Sequence, residues 1–228
     1  STADVVASLG NEPALRAALR GVEAVIHTAA LHAPHVGHQS ESAFEEINVQ
    51  GTAALLRLAL QAGVSRFVYT GTTALYGAGA APAGQAAWVT EETTPQPQTI
   101  YHRTKWAAER VLQAGAQRAP VAVTVLRMSR CFPEPAPIMA AYRLHRGVDV
   151  RDVADAHANA LSVLAPGFRT YVISGPTPFT PEDTAELYAD APAVFARRAP
   201  GHARDLPAPR SCRPRSAGTG RPRRRAAR

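Results

Sequence analysis

Tyr101 and Lys105 bracket the stretch Tyr101-His102-Arg103-Thr104-Lys105, and a four-residue spacing stacks two side chains on one face of a helix. A phenol and an ammonium so placed can exchange a proton with a substrate oxygen together. Alone, a tyrosine hydroxyl with a pKa of about 10 is a poor base at neutral pH. A neighbouring cation stabilises the phenolate and draws that pKa toward the working range. Lys105 is the only lysine in the chain. A compact ammonium can address a ribose hydroxyl and a tyrosine oxygen together, which a planar guanidinium does less well. The competing reading is an ordinary amphipathic helix.

About thirty residues upstream lies Thr70-Gly71-Thr72-Thr73-Ala74-Leu75-Tyr76-Gly77, a hydroxyl-rich strand end that is weak evidence alone. His32, His35 and His38 fall in a proline-containing loop with no nearby cysteine or well-placed carboxylate, so they read as pocket lining, and no metal site is expected. The glycines Gly77, Gly79 and Gly84 precede no helix start and read as loop.

Positioning these groups requires alternating strands and helices. Asp4-Val5-Val6 is a possible short strand, and Glu12-Pro13 open a helix that stops at Gly21. Val22 to Ala30 (VEAVIHTAA) reads as a buried strand. Phe44 to Ala62 carries an apolar helical stripe ending at Gly63, and Arg66 to Thr70 is a strand. A loop rich in Gly, Ala and Pro runs from Gly77 to Gln98, then come a helix from about Thr99 to Gln117 and a strand from Val121 to Arg127. Only a short connection spans Pro133 to Arg151. Asp152 to Leu164 reads as helix, Thr170 to Ile173 as strand and Pro181 to Tyr188 as a short helix. The alternation implies a doubly wound α/β sheet with its ligand site beyond the strands' carboxyl ends, where the loops after Ala30, Thr70 and Arg127 meet.

The order of a hydroxyl residue four before a Tyr-Gly pair, followed by a YxxxK helix, resembles the extended short-chain dehydrogenases/reductases of the NAD-dependent epimerase/dehydratase kind. His27-Thr28-Ala29-Ala30 is similar to the family's strand end beneath the cofactor, and Asn48-Val49-Gln50-Gly51-Thr52 to its NVxGT helix. The resemblance implies a catalytic triad of Thr72, Tyr101 and Lys105, with hydride passing to or from NAD or NADP. It implies cofactor contacts at Ser8, Leu9, Ala29, Ala30, Leu31, Asn48, Thr70, Tyr101, Lys105 and Met128, and substrate contacts at Thr72, Thr73 and Arg130. Sugar dehydratases of the family place an Asp-Glu pair where this sequence has Thr73 and Ala74, which disfavours dehydration. Epimerisation or oxidation of a sugar, nucleotide sugar or other alcohol or carbonyl substrate is then expected, and pairing of two copies through the helices at 44–62 and 99–117 follows by analogy.

The resemblance also marks what is not there. Family members open with a strand, a GxxGxxG turn, a helix and a second strand that bind pyrophosphate, and nothing in this sequence corresponds. The expected fold is therefore a Rossmann-type sheet lacking its first β-α-β unit. In the strand order 3-2-1-4-5-6 that loss would open a hole in the sheet, expose Val25 and Ile26, and abolish cofactor affinity. A truncated, inactive family member is the rival expectation. The expected division is a partial dinucleotide-binding domain at 1–165, a small substrate-side segment at 166–196, and a disordered tail at 197–228.

Composition adds bounds. The chain has 228 residues, 46% hydrophobic and 19% charged, enough to bury a sizeable core. Its net charge of +7 suggests a nucleic-acid partner until the charge is located. From Arg197 onward eleven arginines face one acid, Asp205, so the remainder is mildly acidic. Arg221 to Arg225 (RPRRR) could contact phosphates, yet no aromatic residue is interleaved to stack on bases, and nucleic acid is disfavoured. Cys131 and Cys212 match no metal spacing and read as reduced thiols. No apolar run approaches the roughly 18 residues of a membrane span, and the sequence reads as cytoplasmic.

Overall fold

A computed structural model describes residues 4–77 and 81–201. Four strands, β1 (Ala24–His27), β2 (Arg66–Thr72), β3 (Ala122–Met128) and β4 (Gly167–Ile173), form one parallel sheet in the order β1-β2-β3-β4. The helices are α1 (Glu12–Ala18), α2 (Glu41–Phe44), α3 (Gly51–Gln61), α4 (Ile100–Arg118), α5 (Ala136–His145), α6 (Val150–Ala160) and α7 (Thr184–Arg198).

The two-residue period of the strands sorts side chains onto two faces. Phe67, Tyr69, Val123 and Val125 enter one core with Leu55, Leu56 and Leu58 of α3 and Ala108 and Leu112 of α4. Val68 and Leu126 point the other way and pack with Ala160 of α6 and Ile173 of β4. Helices therefore cover both faces, as parallel strands require.

The structure departs from the sequence expectations where long-range pairing decides. No hole opens, because β1 pairs directly with β2 from Ala24↔Arg66 to His27↔Tyr69. The unpaired edge lies on the outer side of β1, where Ile26 is 44% exposed and no described strand lies beyond it. The apolar exposure foreseen for Val25 and Ile26 is therefore an edge effect, half-burying Val25. Asp4-Val5-Val6 forms no strand, having no neighbour to pair with, and Val6 is exposed. The strand expected over 22–30 is shorter, since its end leaves the sheet at Thr28.

Between α2 and α3 the chain widens into a π-helical stretch, Glu45–Gln50, that carries Asn48; such turns recur at functional sites. The connection after Pro133 holds α5, started by Pro135-Ala136-Pro137, a helix the sequence reading passed over. The helix expected from Pro181 to Tyr188 is a 3₁₀ turn, Pro181–Asp183, running into α7, which reaches Arg198 across a kink at Asp190. The β4 strand, placed by the sequence reading in a separate segment, joins the main sheet. Cys212, Arg221 to Arg225 and most of the tail expected to be disordered lie outside the described residues. No described helix is long and apolar enough to cross a membrane.

Candidate functional site

All four strands run the same way, so their carboxyl ends share one edge of the sheet. Register fixes heights there: His27 is level with Tyr69, and Thr72 is paired with Met128. The loop from Thr28 to Leu31 thus lies level with Thr70–Thr72.

Thr72 ends β2 and caps a 3₁₀ turn, Thr73–Tyr76, its Oγ1 accepting from Ala74 N at 3.1 Å. That leaves its hydroxyl proton to donate. The turn closes at Gly77, whose φ of +65° suits glycine, and a Cβ there would lie 2.4 Å from the Gln96 carbonyl oxygen.

Tyr101 is the second residue of α4. The helix start is fixed by a capping box in which Thr99 Oγ1 accepts from His102 N and His102 Nδ1 accepts from Thr99 N. Burial pushes the Tyr101 phenol above its ordinary pKa, and a hydrogen bond with Thr72 pulls it back. Lys105, expected from the sequence to lower this phenol, is not among the groups that do so here. The Lys105 ammonium is directed to the Thr70 carbonyl and the Tyr69 ring.

Lys105 lies one turn further along α4 and is 3% exposed. Its Nζ donates to the Thr70 carbonyl at 2.8 Å and sits 4.0 Å from the centre of the Tyr69 ring. Burial lowers its pKa to about 7, and Glu109 opposes that fall.

Other expected contacts are placed as follows. Ala29, Ala30 and Leu31 line the loop after β1. The Leu31 N–H donates to Asn48 Oδ1 at 2.7 Å, and Asn48 Nδ2 donates to the Leu31 carbonyl at 2.9 Å and to Thr104 Oγ1 at 3.0 Å. Asn48 is thus a buried clamp on that loop, its two amide donors both taken, rather than a group presented to a ligand. Thr70, expected to meet the cofactor, turns its hydroxyl to His157 Nε2 at 2.7 Å on the α6 face; His157 Nδ1 donates to the Val153 carbonyl. Ser8 accepts from Gly10 N beside α1, and Leu9 packs on Gly51 and the core. Thr73 Oγ1 donates to the Met128 carbonyl. Arg130, expected to contact substrate, pairs with Glu134 and lies against the Tyr142 and Phe132 rings at 4.6 and 5.5 Å. His32 stacks on Phe132 at 6.0 Å, joining the loops after β1 and β3. Among the described residues no group of three His, Cys, Asp or Glu side chains is placed to hold a metal.

The sequence reading missed a buried trio below the site. Glu109 and Arg127 form an ion pair with side chains 3% and 9% exposed, and Arg127 Nη1 donates to Tyr76 Oη at 2.8 Å. The signal was available: Glu109 is four residues from Lys105, and Arg127 is a charge in an otherwise apolar strand.

A family model described as the NAD dependent epimerase/dehydratase family matches residues 5–136. The chain belongs to that family. It is 30% identical over 132 residues to N-acetyl-alpha-D-glucosaminyl-diphospho-ditrans,octacis-undecaprenol 4-epimerase of Escherichia coli O157:H7, covering 57% of this chain and 37% of that protein. It is 33% identical over 114 residues to dTDP-D-glucose 4,6-dehydratase of Mus musculus, covering 49% of this chain and 30% of that one. In fold it is similar to DesIV, a dTDP-glucose 4,6-dehydratase from Streptomyces venezuelae solved with NAD and TYD bound, with a TM-score of 0.63, 25% identity, and coverage of 74% of this chain and 57% of that one. The chain thus spans well under half the length of these two curated relatives.

Proposed function

We propose that this chain carries the proton-transfer half of an NAD(P)-dependent enzyme that epimerises or oxidises a sugar or nucleotide sugar. The observation that carries the reading is placement: Thr72 ends β2 at its carboxyl edge, and Tyr101 and Lys105 lie one turn apart at the start of α4, with the Lys105 amine reaching the β2 carbonyl of Thr70.

The donor set fits the nicotinamide-ribose end of a dinucleotide: one phenol, one threonine hydroxyl and one amine at a strand edge flanked by the small residues Ala29 and Ala30. Lys105, the backbone around Ala29 to Leu31, and Met128 are the groups that would hold that end. When bound, the nicotinamide supplies hydride acceptance and return. Thr72 would donate its hydroxyl proton to the substrate oxygen and orient it. Tyr101 would give or take the proton at that oxygen; with its phenol held high by burial, it rests as an acid, and closure of a charged ligand over it would set the balance. Lys105 contributes positive charge when protonated, and its amine titrates near neutrality. Family relatives include dehydratases, but Thr73 hydrogen-bonds a backbone carbonyl and Ala74 is apolar, so neither of these two positions offers an acid for elimination.

The test is Tyr101→Phe in the complete natural protein that contains this sequence. Turnover should fall by at least about a hundredfold, the usual scale of a lost general acid-base group, while NAD or NADP affinity by calorimetry stays within twofold. Undiminished turnover would sink the assignment.

A further inference from the structure

We propose that Glu109 is a positioning residue for this site, a buried carboxylate one helical turn from Lys105 that, through Arg127 and Tyr76, holds the turn that presents Thr72. The inference rests on the reading that Thr72, Tyr101 and Lys105 act together.

Glu109 follows Lys105 by one turn of α4, on the face that α4 turns to the sheet. Its carboxylate grips Arg127 of β3 two-handedly: Nη2 donates to Oε2 at 2.7 Å, and Nε donates to Oε2 at 3.1 Å and Oε1 at 3.3 Å. The free arm of the guanidinium donates to Tyr76 Oη, and Tyr76, 1% exposed, closes the turn that Thr72 caps. The backbone just before Thr72 rests on the same pair. A Cβ at Gly71 would come within 3.0 Å of Val125 Cγ1, 3.1 Å of Glu109 Oε1 and 3.2 Å of Arg127 Cγ, so the strand end lies close against the ion pair.

Stability alone is a poor account of such an arrangement. Replacing a buried ion pair by apolar groups of similar volume is often neutral or stabilising. What a fork-shaped pair does supply is direction, here one constraint shared by α4, β3 and the 3₁₀ turn. The charges tell the same story. Two buried cations, Lys105 and Arg127, are served by one carboxylate. Burial raises the Glu109 carboxyl, while Arg127 and then Lys105 hold it down. Lys105 is faced by Tyr69, by His27, which burial keeps uncharged at neutral pH, and by Glu109, whose carboxylate opposes its loss of charge. Glu109 in turn is faced by Arg127, Lys105, Tyr76 and Tyr69.

Because Lys105 is the only lysine, biosynthetic labelling with [13Cε]-lysine gives a single side-chain NMR signal whose shift reports its protonation, with no cofactor or substrate present. The native chain should titrate at about 7. In Glu109→Gln the midpoint should fall by one pH unit or more, a tenfold shift in the amine's protonation equilibrium, and Glu109→Asp should recover part of it. Glu109→Gln strands the Arg127 charge and can unfold the chain, so the decisive variant is Glu109→Gln with Arg127→Met, which removes both charges at similar volume. The proposal expects this pair variant to fold and still to titrate below the native midpoint. A folded pair variant with the native midpoint would make the pair simple packing, and a pair variant that fails to fold would make it structural; either result overturns the proposal. Neither depends on turnover, so the Tyr101→Phe outcome is read separately.

Discussion

His27 should make this fold acid-sensitive in a calculable way. The imidazole is 3% exposed, at the end of β1. Its Nε2 lies 2.9 Å from Thr52 Oγ1, and the Thr52 hydroxyl spends its proton on the Asn48 carbonyl at 2.7 Å. Thr52 therefore accepts, and His27 is the Nε2–H tautomer. Burial first, and Lys105 second, lower its pKa from 6.5 to about 4. The unfolded chain takes up a proton as pH falls through 6.5, while the native state refuses it until about 4. Native stability is therefore whole above pH 6.5 and declines as pH falls from 6.5 toward 4. At about 1.4 kcal/mol per pH unit, the loss is about 3 kcal/mol. The variant His27→Gln keeps an amide donor for Thr52 but cannot titrate. Losing the ring contacts with Tyr69 and Phe67, at 5.4 and 6.1 Å, should cost about 1–2 kcal/mol at every pH. Urea unfolding followed by circular dichroism at several pH values from 7.5 to 4 measures both effects. The native chain should be the more stable at pH 7.5, the variant at pH 4, with a crossing between. Carboxylates common to both proteins cancel in the difference. A gap that stays constant over the whole range would refute the reasoning.

Two further substitutions test the scaffold around the site. Asn48→Ala leaves the Leu31 N–H and carbonyl without their partner, and should cost about 2–3 kcal/mol in urea unfolding while accelerating amide exchange at Leu31; slow exchange retained there would show that the clamp does not hold the loop. Gly77→Ala forces a Cβ into a positive φ and against the Gln96 carbonyl, so it should lower Tm by about 5 °C or more for a penalty of about 2 kcal/mol, and an unchanged Tm would mean the turn can rearrange freely.

The sequence by itself determined the local chemistry and the elements that carry it. Tyr101 and Lys105 share a helix face because they are four apart, and the helix expected from about Thr99 starts there, at Ile100. The apolar runs over 66–70 and 121–127 are strands, since each is short, β-branched and bounded by turn residues. Periodicity is a short-range property, and these features need nothing beyond it. Only the tertiary structure decided what those residues face. That β1 lies directly against β2, with its open side outward, follows from hydrogen bonds between segments some forty residues apart. That Asn48 serves Leu31 and Thr104, that Thr70 turns to His157, and that Arg127 reaches both Glu109 and Tyr76 are pairings across 17 to 87 residues. Even the protonation of the site belongs to this level: sequence spacing places an amine near a phenol, but the depth at which packing buries them raises one pKa and lowers the other.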